Sequence, residues 1–557
     1  MKKIIYSLLL CLLLSPAALA KNDTKNDISR NLRIFNSVYK ELISNYVDTI
    51  DAQKSLATAI NSMLGEIDPY TEYYPADMQD ELLSLSTGNY AGVGSYLQKR
   101  KQGIVFSQPR WDSPARNSGI RHGDIILAVD DLTVTDETAI DEVSKRLRGQ
   151  AGTKVNVKVH RPYVTDSILN FEITRRQIDV DPLPYYGILR DGIGYIGLTT
   201  FNANSADAVK DAIADMRSKG DLKALILDLR GNGGGLLESA VSIVGNFVPK
   251  GTEVVTTRYK EPGNYKTYKT TRKPIDTELP IAVLTDGSTA SASEIVAGAL
   301  QDLDRAVIVG NRSYGKGLVQ NTRPLPYDGL LKVTVARYYI PSGRLIQAID
   351  YSHRDSLGNV TRIPDSLTNV YYTAAGRPVR DGGGITPDVT VKQKETNRLL
   401  FNIVRDFWAY DFATKYAAEH SGESFSPDSF EVNDSIFNLF KAFIDPEKFQ
   451  YDHYCETGIK YLREAAETEG YMTDEVRERF DELEQLLKHD LNHDLDHNRK
   501  DIIDLLDYEL CDRFFSESEI VRRTLRHDDD VDEAVAILIS PERYKMLLTP
   551  AKVSDNK

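Results

Sequence analysis

Two short apolar runs, residues 224–229 and residues 281–284, each end in a turn of glycine or other small residues. The second then reads into a helix over 289–300. An apolar run of this length bounded by such turns reads as a buried strand, and a strand that feeds a helix must bury the helix against a sheet. The surrounding chain keeps the alternation. Residues 194–198 read as a strand, 206–218 as a helix, 306–309 as a strand, and 331–339 alternate as a half-buried strand. These signals predict a layered α/β domain over residues 177–395.

The chain has 557 residues, too many for one ordinary core, so further domains must flank this one. Residues 27–80 read as helical, with Leu32, Phe35, Val38, Tyr39, Leu42, Ile43 and Tyr46 forming one apolar face. That face must pack on something, either the same chain or a second copy. A homo-oligomer through the N- or C-terminal helices is therefore among the expected partners. Residues 82–176 change character: Gly92-Val93-Gly94-Ser95-Tyr96 opens a β segment, Ser113-Pro114-Ala115 starts a turn, and Gly123-Asp124 leads into a strand. Val155, Val157 and Val159 alternate as another strand. This stretch resembles a PDZ domain of the circularly permuted kind found in bacterial proteases. Residues 396–557 are acidic and mostly helical in pattern. The fold class is thus multi-domain α/β: an α/β core, an inserted PDZ-like β-rich domain, a helical N-terminal segment at 21–81 and a mostly helical C-terminal domain.

The first 20 residues carry Lys2 and Lys3, an apolar run, and the small-residue pattern Ala18-Leu19-Ala20. That reads as a secretory signal peptide cut after Ala20, with an uncleaved anchor as the bland alternative disfavoured by the short apolar run, and it predicts a mature protein in the periplasm or cell envelope. Losing both lysines takes the formal charge from −14 to −16, which argues against nucleic acid as a partner. Only Cys455 and Cys511 remain after cleavage, too few for a disulfide framework, though they could form one bridge.

Three segments of the α/β domain could carry chemistry. In Thr285-Asp286-Gly287-Ser288-Thr289-Ala290-Ser291-Ala292-Ser293-Glu294-Ile295, a strand ends, small residues turn and a helix begins. A serine there sees the positive end of the helix dipole, which favours an oxyanion; helix capping is the bland alternative. In Tyr314-Gly315-Lys316-Gly317-Leu318-Val319-Gln320, a lysine between glycines can be aimed into a cleft. To act as a base it must be neutral, so its pKa must fall by about 2–3 units from ~10.4, which burial can achieve. Gln320 can hold the amine without raising its pKa as a carboxylate would. A phosphate loop fails because Gly317 stands where a magnesium-holding Ser or Thr belongs. In Asp228-Leu229-Arg230-Gly231-Asn232-Gly233-Gly234-Gly235, glycine N–H groups could stabilise a tetrahedral oxyanion. A dinucleotide fingerprint is met only at Gly192, Gly194 and Gly197, inside a predicted strand.

Taken in order, these pieces resemble the carboxy-terminal processing peptidases, or tail-specific proteases. The PDZ-like segment comes first, then Tyr195-Ile196-Gly197-Leu198, the D-L-R-x-N-x-G-G loop, S-A-S-E-I, Y-G-K-G-x-x-Q, and Gly384-Ile385-Thr386-Pro387-Asp388. The resemblance covers roughly residues 30–395. It implies Ser291 as nucleophile, Lys316 as its base and Gln320 as third member. It also implies an oxyanion hole from the N–H groups of Ala292 and Gly234, and Gly233 stands where the family often has proline. Asp302 falls where some members have a structurally important aspartate. The implied reaction is endopeptidase cleavage near C-terminal tails or in unfolded segments, with no cofactor and no metal. Protein or peptide substrates with accessible tails would add a strand to the PDZ-like domain, the carboxylate being captured by Gly92, Val93, Gly94, Ser95 and Tyr96. The rival reading from another class is an inactive PDZ scaffold in the cell envelope. A histidine triad would need His353, which shows no partner in the sequence. His489, His493 and His497 line one helix face, which reads as solvated rather than as a metal site.

Overall fold

The computed structural model describes residues 17–78, 89–354, 359–392, 397–452 and 454–550. The chain divides into two compact units: residues 1–79 with 320–334, and residues 80–319 with 335–557.

In the smaller unit, helices Ala17–Asn45 and Ala52–Gly65 precede a short strand, Glu72–Tyr74. Most of the predicted signal peptide lies outside the described residues. The expected helical character stops at Gly65, and residues 72–74 pair antiparallel with Leu330, Leu331 and Lys332. Asp68-Pro69 breaks the helix, and Asp68 caps the turn by accepting from the Tyr70 and Thr71 amides at 2.8 Å. The expected apolar helix face lies in the open: Leu32, Phe35 and Val38 are all exposed.

The core of the larger unit is a six-stranded sheet in the order Tyr185–Ile188, Ile193–Gly197, Ala224–Asp228, Ile281–Thr285, Val307–Gly310, Val389–Thr390. All pairs are parallel except the first. Its two faces are filled by alternate residues, as the period of a strand requires. Leu225, Leu227, Ile281, Val283 and Ile308 pack against Val209 and Ile213 of helix Ser205–Lys219, Ile243 of Leu237–Val244 and Val296 of Ala292–Asp302. Ala224, Ile226, Ala282, Leu284, Val307 and Val309 pack against Val531, Val535 and Leu538 of helix Asp529–Leu538. The last stretch of the acidic C-terminal region is therefore one layer of the α/β sandwich.

The PDZ-like part is a β-sheet of Ser95–Arg100, Gly103–Pro109, Ile125–Val129, Lys154–His160 and Ile168–Thr174, with helix Ile140–Leu147 on its core. Its entry strand Asn89–Gly92 pairs antiparallel with its exit strand Arg176–Asp179, closing the insertion. Residues between 399 and 520 form a separate helical core around Phe412, Phe437, Phe440, Ile502 and Leu506. The PDZ-like sheet docks on these helices through Arg100, whose guanidinium meets Asp411 at 2.8 Å and lies over the rings of Phe407 and Tyr410. Buried His122 lies 3.4 Å from Asp512, and burial, with Arg513 and Arg116 nearby, holds its pKa well below the usual histidine range. Among the described residues no helix is long and apolar enough to cross a membrane. Cys511 is buried and Cys455 exposed, both as free thiols.

Candidate active site

Strands Ala224–Asp228 and Ile281–Thr285 run parallel with Asp228 beside Leu284, so the turns that follow them rise together from one end of the sheet. In parallel sheets this end is where ligands bind. The two turns are stitched to one another. The Gly231 amide donates to Asp286 at 3.1 Å, and Thr289 Oγ1 donates to Leu229 O at 2.9 Å. Asn232 O accepts from the Ala290 amide at 3.0 Å and from Ser293 Oγ at 2.9 Å. Ser293 is fully buried in that bond. Ser288 sits exposed in the turn, its amide donating to Asp286.

Ser291 is the N-cap of helix Ala292–Asp302, with φ 58° and ψ −115°. A positive φ on a residue with a Cβ costs on the order of 1–3 kcal/mol and persists only where its surroundings impose it. Here Glu294 imposes it. Its carboxylate is fully buried and accepts four bonds. Oε2 takes the amides of Ser291 at 2.9 Å and Lys316 at 2.8 Å. Oε1 takes Ser313 Oγ at 2.5 Å and the Gly315 amide at 2.7 Å. Burial pushes the Glu294 pKa up to about 7, against the pull of these four donors. Ser313 Oγ in turn accepts from the Ile385 amide at 2.6 Å, tying in the segment Gly384-Ile385-Thr386.

Gly315 has φ +90°, and a Cβ there would stand 2.3 Å from the Ala348 Cβ, so only glycine lets the chain present Lys316 at this place. A second bridge closes from the other side. The buried Tyr338 hydroxyl donates to Lys316 O and lies 3.1 Å from Ser291 O. Neither Glu294 nor Tyr338 is singled out by sequence reasoning. The available signal for Glu294 is a charged residue within a helix whose other members are small, polar-neutral or apolar up to Asp302.

The remaining predicted residues fall as follows. Gly234 lies against Ser291: a Cβ on it would stand 2.8 Å from the Ser291 Cβ and 2.9 Å from the Ala292 N. Its own N–H donates to Asn232 Oδ1 at 2.9 Å. The Ala292 N–H is the first of its helix and has no carbonyl of that helix to meet. Gln320 belongs to the smaller unit, where its amide donates to Thr334 Oγ1 at 3.2 Å. Asp302 is buried in an ion pair with Arg344 at 2.8 Å and accepts from the Ser342 amide. In the PDZ-like domain, Gly92 ends the entry strand and Ser95 starts the next. Val93 O and Gly94 O accept from the Ala115 and Arg110 amides, and Tyr96 is exposed. Tyr96 lines a cavity of about 1050 Å³ that also reaches Arg110, Arg176, Tyr508 and Thr200; Ser291 and Lys316 do not line it. His353 does have a partner, Asp350 at 2.6 Å, three residues before it on the exposed strand Ile349–Arg354. His489 bonds Asp494 and stacks on Tyr451, and the described residues contain no cluster of metal-ligating side chains.

The model of peptidase family S41 matches residues 192–352, that of a PDZ domain 105–161, and that of a probable PDZ-protease C-terminal helical domain 399–538. A carboxy-terminal-processing protease of Bartonella bacilliformis is 35% identical over 341 residues, covering 61% of this chain and 77% of that protein. A probable CtpA-like serine protease of Staphylococcus aureus is 29% identical over 475 residues, covering 83% of each. Among solved structures, the photosystem II D1 C-terminal processing protease aligns at 27% identity over 64% of this chain and 86% of that one, with a TM-score of 0.35. With its α/β core, PDZ domain and helical C-terminal domain, the chain belongs to peptidase family S41, the carboxy-terminal-processing proteases, and is a serine-type peptidase.

Proposed function

We propose that this protein is an exported endopeptidase that cleaves proteins near accessible C-terminal tails or in unfolded segments, through an acyl-enzyme on Ser291 with Lys316 as base. The observation that carries this reading is the double bridge between the two residues: their amides share Glu294 Oε2, and their carbonyls share the Tyr338 hydroxyl. A nucleophile and its base must be held in one geometry for proton transfer to be efficient, and rigid main-chain bridging supplies that.

In the proposed reaction, neutral Lys316 takes the proton from Ser291 Oγ as the oxygen attacks the scissile carbonyl. The amides of Ala292 and Gly234 receive the oxyanion, Gly234 exchanging its bond to Asn232 Oδ1 for the new one. The lysine ammonium then protonates the leaving amine, and water attacks the acyl-enzyme with the same lysine as base. Gln320 is assigned to orient the amine. Residues Gly92, Val93, Gly94, Ser95 and Tyr96 are assigned to the substrate tail. The cavity that runs from Tyr96 to Thr200 supports this, because Phe201 pairs with Gly235 and accepts at its carbonyl from Leu236, beside the glycine loop. Export to the periplasm or cell envelope rests on Lys2, Lys3, the apolar run and Ala18-Leu19-Ala20. The exposed stripe of Leu32, Phe35 and Val38 supports a homo-oligomer.

Digestion of denatured casein and of a C-terminally tagged peptide tests the reading. Wild type cleaves both, while Ser291→Ala and Lys316→Ala cleave neither. Equal digestion by Lys316→Ala would refute the dyad, and an inert wild type would favour a binding scaffold.

A further inference from the structure

The loop that follows strand Ala224–Asp228 is rich in glycine and contains three positive-φ glycines, Gly231, Gly234 and Gly235. Such a chain has no stiffness of its own. Its first side chain, Arg230, is held by three carboxylates. Asp228 meets it at 2.6 Å from the strand end, Asp528 at 2.8 Å and Asp530 at 2.9 Å. The last two come from a segment 298 and 300 residues further along, at the start of helix Asp529–Leu538. Asp528 binds bidentately, accepting from both terminal nitrogens of the guanidinium, and also caps the helix by accepting from the Asp530 and Val531 amides. A guanidinium between planar carboxylates is fixed in direction as well as position. The helix itself cannot drift, since Val531, Ala534, Val535 and Leu538 are buried on the sheet.

We propose that Asp528 and Asp530 are positioning residues for peptide hydrolysis: through Arg230 they hold residues 231–234 at the height where an amide of that loop meets the oxyanion. The C-terminal helical region is then part of the catalytic apparatus and not an appendage. The inference rests on the proposed role of the glycine loop. It uses geometry that the reading of the dyad does not: these contacts of Asp528 and Asp530 run to Arg230 and to the amides that open their own helix.

The chain of contacts is short. Arg230 is followed by Gly231, whose amide meets Asp286, and by Asn232, whose side chain holds Leu198 O at 2.7 Å and the Gly234 amide at 2.9 Å. Losing Asp528 and Asp530 leaves the Arg230 guanidinium on Asp228 alone, the carboxylate two residues before it in the same turn, and so loosens the start of the loop.

The test compares full-length wild type, Asp528→Asn/Asp530→Asn and, as control on the same helix, Glu533→Gln, which removes the ion pair to Arg543 of helix Pro541–Leu547. Two readouts are taken: steady-state cleavage of an internally quenched peptide, and amide hydrogen exchange of residues 231–235. The expected result for the double variant is a fall in kcat of roughly tenfold to a hundredfold with KM within about twofold. Its loop amides exchange faster, and the control matches wild type in both. Unchanged loop exchange in the double variant would overturn the proposal whatever the activity. So would faster exchange with kcat unchanged. Full cleavage by Lys316→Ala measured beside them, with the double variant slow and its loop loosened, would sink the assignment of the dyad and leave the Asp528/Asp530–Arg230 anchor standing, so the two failures are distinguishable.

Discussion

The amides of Ser291 and Lys316 end on one atom, Glu294 Oε2, at 2.9 and 2.8 Å. Two residues 25 positions apart in the chain are thereby fixed by a single buried oxygen, and the Tyr338 hydroxyl repeats the link at their carbonyls.

Removing the second link isolates it. Tyr338→Phe leaves Ser291 O with its bond from the Ile295 amide but removes the hydroxyl that links the two carbonyls. Steady-state kinetics on a quenched peptide are expected to give a kcat about tenfold lower, equivalent to about 1.4 kcal/mol, with KM unchanged. A KM effect with kcat intact would place Tyr338 in substrate binding instead.

Ser293 separates structure from chemistry within the same turn. Its hydroxyl is spent on Asn232 O, which keeps the Ala290 amide when that bond is lost. Ser293→Ala is expected to cost about 1 kcal/mol of stability and retain most activity, whereas Ser291→Ala loses about a thousandfold or more. Urea melts and the peptide assay read the two quantities.

Glu294 should tie stability to pH. Its folded pKa, about 7, lies above the 4.5 of an unperturbed glutamate. Between those values the native state keeps a proton that the unfolded chain has lost, so this group's contribution makes stability fall as pH rises from about 4.5 to about 7. Wild type is expected to lose on the order of 3 kcal/mol relative to Glu294→Gln across that window. Denaturant midpoints of both proteins at pH 5 and pH 8 check it; a difference that does not change with pH would contradict the burial argument.

Arg100→Ala tests the dock between the PDZ domain and the C-terminal helices. It strands Asp411, whose pKa burial already raises, and strips the cation from two rings. Breaking a buried pair costs about 3 kcal/mol. The expected signature is separate unfolding of the PDZ domain in a thermal scan; a single unshifted transition would show that the pair does not hold the interface.

Much of this was legible locally. The strands at 224–228 and 281–285, the small-residue turn and the glycine-flanked lysine are written in contiguous residues, because each is a run or a turn with its own chemistry. What escaped depends on partners far away in the chain. Glu294 reads as one acid in a helix until Gly315 and Lys316 fold over it. Tyr338 reads as one more alternating strand residue. Residues 72–74 look like the tail of a helical region because their strand partner lies at 330–332. The helix at Asp529–Leu538 reads as part of the acidic C-terminal region, yet Val531, Ala534, Val535 and Leu538, at helical spacing, cover a face of the central sheet, and Asp528 and Asp530 at its start grip Arg230.

Trapping the intermediate tests the central claim most directly. Full-length protein is mixed with a cleavable peptide, quenched in acid within the first turnovers, digested, and mapped by mass spectrometry. The account predicts an acyl mass on the peptide bearing Ser291, localised to that residue and absent in Lys316→Ala. An acyl group on Ser288 or Ser293, or cleavage that proceeds unchanged in Ser291→Ala, would contradict it.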